Sequence, residues 1–356
     1  MAPAAEQPSA FTGVTDPFAI DRDPALEHAA EALDPVAVAR AFEQAKFPLE
    51  NLCGERLRAI RVTRHKPGRR CVIEYDLAAA GKSPEVTLIG KIRRRRSGRS
   101  AFELSRAFTV NGFHGAVEDG VSVPDAVAYV KKLGLWLQRK VPGQEATGLL
   151  VTPAGPRLAA GIAEAAFKIH RSNVPVRRIH RIDDEMEILE SCLDRVGQAF
   201  PAWKFHLERL KLFARRLAQT LAGRDLCGIH RDFYADQIIV DGERLWLLDF
   251  DLYCQGDPAL DIGNFIGHVT ELGLRRYGYP QALAAVEQAI EDRYVALAGE
   301  SMRQPIRAYA LLTLLRHIFI STLHESRQHT TEWLITLCEL RLVDLLCDSL
   351  ESNRNR

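Results

Sequence analysis

The chain lacks most of the features by which function classes are recognised in a sequence. It has no excess of charge: 47 Lys and Arg stand against 46 Asp and Glu over 356 residues. No global field of one sign is therefore available to hold nucleic acid or an anionic membrane, and neither is expected as a partner. It has no long hydrophobic run. The most apolar stretch, 308–323, is interrupted by Arg316 and His317 and is too short and too charged to cross a bilayer. The opening MAPAAEQPSAF has neither the basic region nor the apolar run of a secretion signal. The seven cysteines are odd in number and contain no C-x-x-C pair, unlike a disulfide framework or a zinc ribbon. Buried free thiols in a reducing compartment are the reading, and a cytoplasmic location the expectation.

Signature motifs are missing too. No G-x-G-x-x-G supports a dinucleotide fold, and no G-x-S-x-G supports a nucleophile elbow. The tetrapeptide 80–83, Ala-Gly-Lys-Ser, ends like a phosphate loop, but Asp76 stands where the first glycine belongs and Pro84 follows. His324, Glu325 and His329 almost make a zinc-protease helix, but the second His comes one residue too late for the i, i+4 face.

What is present is an ordinary globular composition, 47% hydrophobic and 26% charged. At roughly 150 residues per domain the length implies about two domains. Residues 1–24 are rich in Ala, Pro and Asp without periodicity and read as a flexible tail. Asp34-Pro35 reads as the cap and first turn of a helix. Residues 57–62 and 71–75 read as strands around the turn 65–69, 85–92 as a third strand and 100–109 as a helix. Residues 127–138 show strand alternation, and most segments after Leu150 are helical. The expected organisation is an N-terminal lobe over 25–140 and a helical C-terminal lobe over 141–356. Charge is uneven within this frame: residues 51–100 hold fourteen Lys and Arg against four Asp and Glu. The run Arg93–Arg96 is read as a solvated face, and the segment as a whole favours a polyphosphate ligand nearby.

The informative stretch is 227–251, CGIHRDFYADQIIVDGERLWLLDFD. Ile238-Ile239-Val240 and 245–248 are short apolar strands, and Asp241-Gly242 is a hairpin signal between them. Folding that hairpin brings Gln237 and Asp249 together at its open end. An amide oxygen and a carboxylate converging there suit a hard cation such as Mg²⁺, which takes one or two carboxylates plus substrate phosphates. Asp232 enters the same place and has the chemistry to orient and deprotonate a hydroxyl.

His230-Arg231-Asp232, Gln237 and Asp249-Phe250-Asp251 together resemble the catalytic and metal-binding loops of the protein-kinase-like superfamily. The details are similar to its small-molecule branch, the aminoglycoside and choline kinase-like phosphotransferases. Seven residues separate Asp249 from Asp257, which leaves no room for a protein-kinase activation loop. The segment Asp257-Pro258 to Phe265 resembles the one that opens the next helix in that branch, with Asp257 and Asp261 supporting the site. The resemblance implies an α+β, two-lobed protein-kinase-like fold, with a small antiparallel-sheet lobe before a larger helical one. It implies ATP and Mg²⁺ as cofactors and a small-molecule hydroxyl as acceptor. It assigns Asp232 as the catalytic base, and Asp249 with Gln237 and Asp251 as metal ligands. Gln237 stands where the family usually has Asn, and Asp251 where protein kinases have Gly. Lys91 falls where the superfamily places its phosphate-binding lysine, Glu103 is the candidate acid to pair with it, and 138–140 the hinge. The turn Lys66, Gly68, Arg69, Arg70 lies where the nucleotide-covering loop belongs, with Gly68 expected to supply the close backbone approach. Asp183, Asp184, Glu185 and Glu187 are read as a solvated helix face, with a pocket for a cationic acceptor as the alternative. A nucleotide-binding regulatory pseudokinase is the alternative for the whole chain.

Overall fold

A computed structural model describes residues 11–45, 56–78, 86–94 and 98–354. Cys53, the tetrapeptide 80–83, Glu85, Arg95 and Arg96 lie outside the described residues. The chain divides into two compact units, one of residues 1–142 with 246–248, the other of 143–245 with 249–356.

The first unit is built on a six-stranded sheet. Its spatial order is Gly13–Thr15, Arg56–Lys66, Arg70–Ala78, Val86–Arg93, Leu135–Arg139 and Ala126–Val130. The first strand pairs parallel with its neighbour, and the other pairings are antiparallel. Strand Arg70–Ala78 alternates strictly, with Cys71, Ile73, Tyr75 and Leu77 buried. That period of two turns one face of the sheet into a core, which the helices Ala29–Leu33 and Pro35–Gln44 cover. Asp34 caps the second of them by accepting from Val36 N–H at 2.9 Å, as its Asp-Pro pair predicts. Tyr75, fully buried, donates its hydroxyl to Ala32 O at 3.0 Å and so fastens sheet to helix.

Two expectations are corrected here. The described part of 1–24 is no flexible tail. Gly13–Thr15 adds an edge strand to Ala59–Arg61, Asp16 accepts from Phe18 and Ile20 N–H, and Ile20 is fully buried. Its order comes from pairing with a distant strand, which composition does not reveal. The alternation over 127–138 belongs to two strands rather than one. The turn Lys131–Leu133 and Gly134, at φ 56°, reverse the chain and place Tyr129 opposite Trp136.

The second unit is mainly helical, with Gly155–His170, Ile182–Ala199, Lys204–Thr220, Pro258–Tyr277, Ala284–Ala298, Arg303–Thr322 and Thr331–Arg354 as its longer helices. Among the described residues no helix is long and apolar enough to cross a membrane. Pro258–Tyr277 is buried on nearly every side and lies against Arg303–Thr322. Gly263 makes that approach possible, because a Cβ there would sit 2.5 Å from Tyr309 Cβ and 2.7 Å from Ala310 N. The chain is thus α+β, a sheet-based unit and a helical one.

Candidate active site

Two hairpins nest over residues 227–256, and the sequence between their strands carries the candidate site residues. Strand Cys227–Ile229 pairs antiparallel with Cys254–Gly256, with Ile229 opposite Cys254. Inside that pair runs a second hairpin, Ile238–Asp241 and Arg244–Leu247, reversed at Gly242 with φ 59°. The loops 230–237 and 248–253 are therefore the two legs of the inner hairpin. Asp232, Gln237, Asp249 and Asp251 are all carried on these legs. Arg178 tethers the second leg by donating to Asp251 O at 2.7 Å. The rings of His230 and Phe250, one from each leg, lie 4.7 Å apart, and His230 is completely buried.

The backbone is strained where chemistry is expected. Arg231 has φ 68° and Asp249 φ 56°, both left-handed without being glycine. Such residues cost on the order of 1–3 kcal/mol each and persist only where their surroundings impose them. For Arg231 the imposing group is Asp261, fully buried on the first turn of Pro258–Tyr277. Its Oδ2 accepts from His230 N–H at 2.8 Å and its Oδ1 from Arg231 N–H at 2.7 Å. His170 Nε2 lies 2.9 Å from the same Oδ2, and His170 Nδ1 lies 2.7 Å from Tyr294 Oη. A carboxylate only accepts, so in the neutral ring Nε2 carries the proton and Nδ1 takes the tyrosine's. Asn264, one helical turn on, donates to Phe233 O at 3.0 Å, and Arg316 holds its Oδ1 at 2.7 Å. The loop 230–233 thus hangs from the core by its backbone, which leaves the Asp232 side chain for other work. Asp257 caps the same helix through Ala259 N–H at 3.0 Å and pairs with Arg224 at 2.6 Å. Burial still pushes its carboxyl up from the ordinary range.

Gln237 is buried, and its Nε2 donates to Tyr234 Oη at 3.0 Å. Tyr234 stacks on His268, which meets His317 edge-on. Burial drives His268 well below its ordinary pKa and His317 down to about 3, so both imidazoles are neutral at pH 7. Among the described residues no three His, Cys, Asp or Glu side chains gather as a metal site. A hard cation held by one or two carboxylates, an amide and substrate phosphates needs no such cluster, and the oxygen donors on the two legs suit it. The cysteines beside the site are inert: burial pushes Cys227 and Cys254 up to about 12. Of the acids on Ile182–Ala199, Asp183, Asp184 and Glu187 are exposed as a solvated face. Glu185 is buried between His180 at 2.8 Å and Arg316 at 3.1 Å, a core ion network.

In the first unit, Lys91 lies on Val86–Arg93 opposite Val72 and Trp136, its Nζ 4.9 Å from the Trp136 ring centroid. Glu103, on Gly98–Phe108, accepts from Arg99 at 2.9 Å. The turn Lys66, Gly68, Arg69, Arg70 joins two strands, and Gly68 has φ 69°. Gly68 N–H donates to Asp23 Oδ2 at 2.8 Å. The Gly68 backbone donor is therefore already engaged.

A family model described as "Phosphotransferase enzyme family" matches residues 86–304, more than half of the chain. The chain belongs to that family. This phosphotransferase shares a protein-kinase-like fold with solved small-molecule kinases. Its structure is similar to a choline/ethanolamine kinase family protein from Mesorhizobium loti, at 15% identity and TM-score 0.54, over 86% of this chain and 94% of that one. It is similar also to a spectinomycin phosphotransferase in complex with ADP and spectinomycin, at 12% identity and TM-score 0.52, over 82% and 92%. An aminoglycoside phosphotransferase in ternary complex with ADP and hygromycin B matches at 14% and 0.52, over 81% and 94%. None of the curated proteins matches the chain.

Sequence reasoning about the phosphotransferase missed His170, Tyr294, Asn264 and Arg316, which stand far along the chain from the loop they hold. It missed Asp23 as well. Asp23 binds Gly68 N–H and His65 Nε2, each at 2.8 Å, and the Asp23 and His65 side chains are only 7% and 9% exposed. The Gly68 N–H first, then His65, hold the Asp23 carboxyl below its ordinary range. Its contribution to stability is therefore present at neutral pH and is lost as pH falls through the lowered value. Asp23→Ala should lower unfolding free energy by about 1.5–3 kcal/mol, the range for hydrogen bonds to a charged group. Urea denaturation at pH 7 measures it, and an unchanged midpoint would remove the clamp.

Proposed function

We propose that the chain transfers the γ-phosphoryl group of ATP to a hydroxyl of a small polar metabolite, an amino sugar, sugar or amino alcohol. The observation that carries this reading is the suspension of His230 and Arg231 by Asp261, which holds the Asp232 loop fixed on one leg of the hairpin whose other leg carries Asp249. Asp232 aligns the acceptor hydroxyl and takes its proton as the acceptor oxygen bonds to the γ-phosphorus. The bond from that phosphorus to the β-phosphate oxygen breaks, and ADP leaves. Lys91 neutralises the phosphates, with Glu103 as its orienting acid. With Gly68 N–H given to Asp23, phosphate contact on the turn passes to the side chains of Lys66, Arg69 and Arg70. Asp249, Gln237 and Asp251 are the residues that would hold Mg²⁺, which when bound supplies charge neutralisation on the phosphates. Positioning and electrostatics carry such a reaction, since no covalent chemistry by the protein is needed.

Thermal unfolding with ATP, with and without Mg²⁺, tests the nucleotide site. Ligand at about 100 times its dissociation constant adds roughly 2.7 kcal/mol. ADP release across a panel of amino sugars, sugars and amino alcohols then tests transfer. A Mg²⁺-dependent shift and turnover with at least one acceptor are expected. Saturable ATP binding with no transfer to any of them would point to the regulatory-module alternative. No shift at saturation would sink the reading.

A further inference from the structure

Residue 237 is a glutamine where the family resemblance leads one to expect asparagine, and the structure holds that longer side chain in a specific way. It closes the short turn Ala235–Gln237, and its backbone N–H donates to Tyr234 O at 2.9 Å. Its side-chain Nε2 donates to the hydroxyl of that same Tyr234 at 3.0 Å. A glutamine has one more rotatable torsion than asparagine, so the backbone alone leaves its amide free to swing. A bond to the NH₂ group fixes the last torsion. The amide is planar with nitrogen and oxygen on opposite branches, so Oε1 is turned away from the tyrosine.

The tether is itself rigid. The Tyr234 ring stacks on His268 at 4.5 Å with 15° between the planes. His268 meets His317 at 4.5 Å and 83°. His268 belongs to Pro258–Tyr277 and His317 to Arg303–Thr322, the two helices in closest packing at Gly263. Three rings rooted in the core therefore fix the place of one hydroxyl.

We infer that Tyr234 is a positioning residue, whose hydroxyl orients the Gln237 amide so that Oε1 faces the divalent cation accompanying the nucleotide. This rests on the proposed cation site. It accounts for the glutamine: a longer amide serves as an oxygen ligand where a fixed donor partner removes its extra freedom.

The test is calorimetric titration of ADP over a series of Mg²⁺ concentrations, with EDTA as the metal-free reference. Tyr234→Phe keeps the ring stack and deletes only the hydroxyl. It should raise the Mg²⁺ concentration needed for half-maximal strengthening of ADP binding by about 2- to 10-fold, the range for loss of one hydrogen bond. ADP affinity in EDTA should not change. In a Gln237→Asn background the same Tyr234→Phe change should have no further effect, because the shorter amide has no need of the tether. An equal shift in both backgrounds, or no shift in the Gln237 chain, overturns the inference. Mg²⁺-independent ADP binding by the unaltered chain overturns the cation site, and the inference with it.

Discussion

Asp232→Ala is expected to lower phosphoryl transfer by about 10²–10⁴, the usual contribution of a general base. Nucleotide binding should survive. The loop conformation does not depend on the Asp232 side chain, since His230 and Arg231 are held through their backbone N–H groups by Asp261. Phe233 is fully buried and anchors the next position. Removing the carboxylate therefore deletes a chemical group without collapsing the site. Asp232→Asn should be impaired to a similar degree in kcat, because the amide keeps the shape but takes no proton. The measurements are kcat with the best acceptor and the thermal shift given by ADP and Mg²⁺. A kcat near that of the unaltered chain would remove Asp232 from the role of base. Loss of the ADP shift together with kcat would place it in nucleotide binding instead.

How far the sequence foretold this arrangement depends on the length scale of each interaction. The inner hairpin was legible because its signals are local: two short apolar runs, an Asp-Gly turn, and polar residues at the two open ends. The caps Asp34 and Asp257 were legible for the same reason, since each bonds an N–H two residues on. Alternation in 71–75 announced a half-buried strand before any partner was known. What escaped was long-range. Asp261 was read as structural support, but its partner His170, and the Tyr294 that His170 binds in turn, lie on other helices and carry no motif. Gly13–Thr15 becomes a strand only by pairing with 59–61, and Asp23 becomes a clamp only because that strand leads it to the turn at Gly68. The Gly68 amide likewise binds a carboxylate from 45 residues upstream, a partner that no local signal announces.

The largest stability effect is expected at Asp261. Asp261→Ala removes the acceptor for two backbone N–H groups and for His170 in a site with no solvent access. Asp261→Ala leaves three buried donors without a partner, and each costs about 1–3 kcal/mol. For a domain of ordinary stability, about 5–15 kcal/mol, that is a large fraction of the whole. Arg231 would also lose the interaction that holds it at φ 68°, so the loop should relax towards the ordinary basins. Asp261→Asn separates these effects. Its Oδ1 can still accept from one backbone N–H, and its NH₂ can donate to His170 if the ring changes tautomer and gives up the tyrosine's proton. The NH₂ then faces the remaining backbone N–H, donor against donor, and one group stays unpaired. The asparagine variant should therefore fold with an intermediate stability, and its kcat should fall further than its unfolding midpoint suggests, because Asp232 is no longer aimed. Urea denaturation and kcat measured on the same preparations check both. Equal stability of the unaltered chain and Asp261→Ala would show that the loop is held by something other than this carboxylate.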